Sequence, residues 1–256
     1  MSPVIYEPQG RAGEYAGRAL NLFTGCAYGC AYCYNPCVLR KPRQQFHQSV
    51  VPRRDILARL EHEIKDAARE PPVLLCFACD PYPPDDELCR LTYRAITMLS
   101  DAGIRFTVLT KAGKRATGDF HLYREKGLGT FATTIVSLND LPDWEPNAPP
   151  VAERIQALAI ARAEGIPTWV SVEPVLHPYH ALSVIRGLHG LTAEFRIGTL
   201  NHVKGPSVDW PDFGAMLAYE LERTPCDYMI KHDLAPFMPG DFPLKRPAAE
   251  QGGPAQ

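Results

Sequence analysis

Short buried apolar runs alternate along this chain with segments of helical period, and that alternation narrows the fold more than any other feature. A run that is apolar throughout and bounded by turn residues reads as a strand covered on both faces, as in a parallel sheet. VLLCFAC at 73–79 is such a run, set between Pro71-Pro72 and Asp80-Pro81. IRFTVLT (104–110), GTFATTIVSL (129–138), PTWVSV (167–172) and the segment 194–200 repeat it, with a first strand at 19–23 and a final one around 228–231. Helices are expected over 53–69, 88–99, 119–126, 152–164 and 179–187, and after Asp209, which can cap a last one. Strand starts fall roughly thirty residues apart, the size of a βα unit. Alternation with right-handed crossovers implies an α/β fold with a parallel sheet. Six units favour a barrel, complete or incomplete, over two separate domains, in a single domain over 1–237. The tail 238–256 has too little apolar content to pack and is expected to be disordered.

Composition removes several classes. Of 256 residues, 45% are hydrophobic and 22% charged, which excludes a disordered chain. The formal charge of −2 excludes a wholesale basic surface but leaves room for a local basic strip. No apolar run approaches the ~20 residues of a membrane helix, and the N-terminus lacks the core of a secretory signal. The expectation is therefore a soluble, cytoplasmic protein without a membrane partner. Eight cysteines in such a chain need an explanation other than disulfides.

Four of them stand in GCAYGCAYCYNPC, as Cys26, Cys30, Cys33 and Cys37. Thiolates are soft ligands that select zinc or iron–sulfur centres, and Gly25 and Gly29 let the backbone turn closely around one. A structural zinc site pairs one C-x-x-C with a second pair a dozen or more residues away. The other C-x-x-C here, Cys76 and Cys79, lies in the apolar run, where strand alternation points the two thiols to opposite faces. A ferredoxin-type run, C-x2-C-x2-C-x3-C, is one residue off. What remains is C-x3-C-x2-C with Tyr32 directly before the third cysteine.

This loop after a first strand resembles the radical S-adenosylmethionine enzymes. Together with LLCFACDPYPP, VLTKAG and VSVEPVL, the chain is similar to the spore photoproduct lyase-like subgroup over most of its length. The resemblance implies a [4Fe–4S] cluster on Cys26, Cys30 and Cys33, with an open iron that chelates S-adenosylmethionine. Reductive cleavage of the sulfonium would give a 5′-deoxyadenosyl radical that abstracts hydrogen from an unidentified substrate. It also implies a partial (β/α)6 barrel of the TIM type, in keeping with the six units, and an electron donor of the flavodoxin or ferredoxin type.

In parallel barrels the chemistry gathers at the C-terminal strand ends, which here offer Asp80, Tyr82, Thr110, Lys111, Ser137, Ser171, Glu173, Asn201 and His202. By resemblance, Tyr32, Asp80, Lys111, Ser137 and Glu173 are the cofactor-binding set, with Lys111 meeting the cofactor's carboxylate. The lyase returns hydrogen from a cysteine three residues before its Asp. That position is Phe77 here, which puts thymine-dimer repair in doubt and leaves Cys79 as the candidate catalytic thiol. The basic run Arg40, Lys41, Arg43, Arg53 and Arg54 keeps a nucleic-acid substrate open. The alternative reading is a non-enzymatic four-cysteine electron carrier or a zinc-stabilised binding module, with Cys37 as fourth ligand.

Overall fold

The computed structural model describes residues 3–68 and 70–246. Eleven strands occur among them: β1 (Ile5–Tyr6), β2 (Arg18–Leu20), β3 (Phe23–Thr24), β4 (Val51–Pro52), β5 (Val73–Leu75), β6 (Phe106–Thr110), β7 (Gly129–Thr134), β8 (Thr168–Val175), β9 (Glu194–Thr199), β10 (Asp227–Ile230) and β11 (Lys245–Arg246). Nine form one sheet in the order β1-β2-β5-β6-β7-β8-β9-β10-β11, while β3 and β4 pair apart. From β2 to β10 every pairing is parallel, and only β1 and β11 run antiparallel at the two edges. The sheet is open, a partial barrel as expected from the sequence.

Helices fill the crossovers: α1 (Asn35–Val38) and α2 (Arg43–Gln48) in the cysteine loop, then α3 (Ile56–Glu63), α4 (Asp86–Asp101), α5 (Lys114–Thr117), α6 (Phe120–Glu125), α7 (Val151–Ala163), α8 (Pro178–Leu188) and α9 (Trp210–Arg223). Two of them, α4 and α9, start on a side-chain cap. Asp85 accepts the amides of Glu87 and Leu88 at the head of α4, and Asp209 accepts that of Asp212 at the head of α9. Each long helix turns an apolar stripe to the sheet, as α4 does with Ala95, Ile96 and Leu99. Leu20, Leu75, Val108, Phe131, Val170, Val172 and Ile197 answer from the strands, all fully buried. Burying side chains of this size contributes about 1.5–3 kcal/mol each. No helix among the described residues is long and apolar enough to cross a membrane.

Three expectations are corrected. The helix over 53–69 stops at Glu63, whose carboxylate turns away to receive the amides of Val4 at 2.7 Å and Ile5 at 3.0 Å; Arg69 lies outside the described residues. The strand over 73–79 ends at Leu75, because Asn21 Oδ1 takes the amides of Phe77 and Ala78 at 2.9 and 2.8 Å and bends the chain off the sheet. The tail is ordered through 246: Met238 is buried, Phe242 stacks on Tyr228 at 5.6 Å, and β11 closes the exposed edge of β10. Gly214 on α9 admits this segment, since a Cβ there would stand 1.8 Å from the Phe237 carbonyl oxygen. Residues 247–256 lie outside the described residues.

Candidate functional site

The cysteine loop leaves the top of β2 and folds back over it through backbone contacts that only glycine permits. Gly25 has φ +88°, and a Cβ there would meet the Ser49 carbonyl oxygen at 2.0 Å. α2 then fastens the loop from outside. The Arg43 guanidinium donates to the carbonyls of Cys30 at 3.0 Å and Cys33 at 2.8 Å, and His47 Nδ1 lies 2.9 Å from that of Cys26. All three cysteine backbones are thus held by one short helix. Cys37 is not part of this arrangement. It is exposed on α1, with Sγ 3.7 Å from the His202 carbonyl oxygen, so the fourth ligand that the four-cysteine alternative assigns to Cys37 does not line the cavity with the other three.

A second latch was not legible as such: the acid- and proline-rich segment 141–150 reads as an ordinary loop. It lies on the cysteine loop, where Ala31 N donates to the Trp144 carbonyl at 2.8 Å and Asn147 Nδ2 to that of Ala27 at 3.1 Å. Tyr32 stacks on Trp144 and donates its hydroxyl to Glu145, which pairs with Arg154 of α7 at 2.5 Å. Arg154 is 2% and Glu145 8% exposed, so each charge depends on the other. The signal was there in α7, where Arg154 shares the buried stripe with Val151, Leu158 and Ala161 and so demands a partner. Arg154→Met is expected to cost about 3–5 kcal/mol by leaving Glu145 as an uncompensated buried charge. Urea denaturation of the variant measures this loss.

Beneath the loop, the C-terminal strand ends surround a cavity enclosing about 970 Å³, its open mouth included. Cys26, Cys30 and Cys33 line one end of it, with Tyr32, Asp80, Lys111 and Glu173 also in the wall. Asp80 spends both oxygens inside the protein: Oδ1 accepts from Thr110 Oγ1 at 2.6 Å and Tyr82 N at 2.9 Å, Oδ2 from Lys111 N at 2.9 Å. It acts as a positioning residue that sets the start of the Lys111 loop. Lys111 Nζ stands 5.3 Å from the centre of the Tyr32 ring, and among the described residues no carboxylate pairs with it. Glu173 is held by Arg11 at 2.7 Å and by the Tyr15 hydroxyl, with the buried Lys231 3.8 Å away. Arg11, Tyr15 and Lys231 were not singled out from the sequence; Arg11 and Tyr15 come from the irregular N-terminal segment, which carries no periodic pattern.

Ser137 is a correction. β7 ends at Thr134, which is the residue of that strand in the cavity wall; Ser137, three residues on, is buried and accepts the amide of Asn139 at 3.0 Å. Cys76 and Cys79 are another. Because the chain leaves the strand at Leu75, alternation no longer applies, and both thiols line the cavity. Phe77 lines it too, edge-on to Tyr15.

Burial governs the titration of these groups. It pushes the Cys26, Cys30 and Cys33 thiols up, Cys30 to about 11, against the opposing pull of Lys111 on Cys30 and Cys33. Burial raises Cys79 as well, and Asp80 despite its three hydrogen bonds. A metal centre would take these thiols as thiolates, the cation itself displacing their protons against the effect of burial. Their softness suits iron–sulfur chemistry, and the residues present therefore fit a cluster held by three cysteines.

The profile of the Radical SAM superfamily matches residues 20–186. The chain belongs to that superfamily. Among solved structures, a cysteine variant of spore photoproduct lyase with a dinucleoside spore photoproduct is similar at a TM-score of 0.60 and 19% identity, over 77% of this chain and 59% of that one. A variant of the same lyase with bound AdoMet and the dinucleoside gives 0.59 and 17%, over 86% and 64%. SuiB of Streptococcus suis bound to S-adenosylmethionine gives 0.61 and 11%, over 83% and 49%. These likenesses are of fold, and the chain spans about three-fifths of the length of the lyase chains. No curated protein sequence matches it significantly.

Proposed function

We propose that this protein binds a [4Fe–4S] cluster on Cys26, Cys30 and Cys33, holds S-adenosylmethionine in the adjoining cavity, and uses the pair to abstract hydrogen from a substrate. One observation carries the reading: the thiols of Cys26, Cys30 and Cys33, the middle one buried and the other two half-buried, line the same cavity as an ammonium that has no carboxylate partner among the described residues. When bound, the cluster and cofactor supply one-electron cleavage of the sulfonium and a carbon radical able to take a hydrogen atom. The chain's own part is placement and protection. Lys111 offers its charge to the cofactor's carboxylate, and Tyr32 and Glu173 complete the wall. Asp80 fixes the loop that carries Lys111, and the Trp144 latch keeps water from the loop's upper side. Cys79, with Cys76 beside it, provides a thiol within the cavity as hydrogen donor. An electron carrier of the flavodoxin or ferredoxin type supplies the electron.

The dinucleoside lesion belongs to the neighbouring lyase. Here Phe77 fills the position of that enzyme's donor cysteine, and the thiols lie to either side of it. The test is anaerobic incubation of the reconstituted protein with S-adenosylmethionine and dithionite. Release of 5′-deoxyadenosine and methionine is the expected result; a full iron–sulfur complement with neither product would refute the reading.

A further inference from the structure

We propose that the outer face of the segment 37–54, formed by α1, α2 and β4, is the docking surface for an acidic electron-carrier protein. This rests on the reading of the site as a reducible cluster. From Tyr15 to Arg54 the sequence contains six Lys or Arg and no Asp or Glu, whereas the rest of the chain has 21 Lys or Arg against 29 Asp or Glu. The positive field is therefore concentrated on the segment that carries the cluster loop, in a protein that is otherwise acidic. Arg40, Lys41 and Arg54 are exposed on it. Arg54 lies 3.3 Å from the neighbouring Asp55, itself largely exposed.

The same segment exposes apolar surface. Val38 is 56%, Leu39 37% and Val51 53% exposed, three of the seven large hydrophobics exposed among the described residues. Aliphatic side chains set among basic ones have the anatomy of a protein interface, with complementary charge steering the approach. A nucleic-acid surface would want rings for bases to stack on. Between 37 and 55 the described aromatic residues Phe46 and His47 are buried or half-buried. The inner face of α2 is the clamp on Cys26, Cys30 and Cys33, through Arg43 and His47. A carrier seated on the outer side is separated from the ligands by one helix, and the small, transient interface of electron-transfer pairs suffices there.

The experiment uses the reconstituted holoprotein and an acidic flavodoxin. One variant combines Arg40→Glu, Lys41→Glu and Arg54→Glu; a second combines Val38→Ser, Leu39→Ser and Val51→Ser. Flavodoxin binding is read by calorimetry at low and high salt, and cluster reduction is read with reduced flavodoxin and separately with dithionite. The charge variant is expected to raise the flavodoxin Kd at least about tenfold and to flatten its salt dependence. The apolar variant is expected to weaken binding at both salt concentrations, with dithionite reduction unchanged in each. Unaltered flavodoxin affinity in both variants would overturn the proposal. So would loss of affinity for a single-stranded oligonucleotide with flavodoxin binding intact, which would make the face a nucleic-acid surface. Failure of dithionite to reduce any cluster in the parent protein would instead sink the radical-enzyme reading, while calorimetry still decides the docking.

Discussion

Cys30→Ala is expected to abolish iron–sulfur loading and to lower 5′-deoxyadenosine release by at least about a thousandfold, some 4 kcal/mol in the barrier. The reason lies in the division of labour around the loop. Its shape is held by backbone groups: Arg43 on two carbonyls, Trp144 on the Ala31 amide, Asn147 on the Ala27 carbonyl. Its thiols are left to face the cavity. Removing one therefore takes away a ligand without unfastening the scaffold, and the variant should fold with a near-parental denaturation midpoint. Two thiolates cannot replace three, since the ligand set is already the smallest that keeps a cluster in place. Cys37→Ala is the control. Its side chain is exposed and points to the His202 carbonyl, so iron content and turnover are expected to stay unchanged. Loss of the cluster in that variant would restore the four-cysteine carrier.

Lys111→Met has the second largest expected effect, and it separates cofactor binding from cluster assembly. Asp80 Oδ2 fixes the Lys111 amide, and the ammonium lies over the Tyr32 ring without a carboxylate partner among the described residues. A half-buried cation so placed favours an anion entering the cavity. Truncating one side of a desolvated charge pair costs about 2–4 kcal/mol, so the Kd for S-adenosylmethionine should rise by about 30- to 1,000-fold. Iron content should remain, because Lys111 is not a ligand, and Lys111→Arg should recover part of the affinity. Equilibrium binding of radiolabelled cofactor to the reconstituted variants measures both. An unchanged Kd in Lys111→Met would remove this residue from the cofactor's carboxylate.

The parts of the fold that could be read from sequence were those set by local pattern. Buried runs such as 104–110 and 167–172 declare strands because both faces must be covered, and Asp209 declares a helix start because its carboxylate can take a free amide. The three cysteines that share one cavity wall stood out for the same reason, their grouping being written in one short spacing. What local pattern does not carry is pairing across the chain. Tyr32 with Glu145 spans 113 residues and Arg11 with Glu173 spans 162, and neither has a sequence signature beyond a charge on an apolar face. Cys76 and Cys79 were misread because alternation was extended past Leu75, where a remote side chain, Asn21, redirects the backbone. Ser137 was misplaced similarly, because the strand expected over 129–138 ends at Thr134. The tail through 246 packs on two side chains, Met238 and Phe242, too few to register in composition.

The central claim is that three cysteines hold a cluster with one iron open to the cofactor. Electron paramagnetic resonance of the anaerobically reconstituted, reduced protein, recorded before and after addition of S-adenosylmethionine, tests it most directly. The account predicts a [4Fe–4S] signal whose g-values change when the cofactor is added. A [4Fe–4S] signal indifferent to the cofactor, or retained zinc with no cluster, would contradict it.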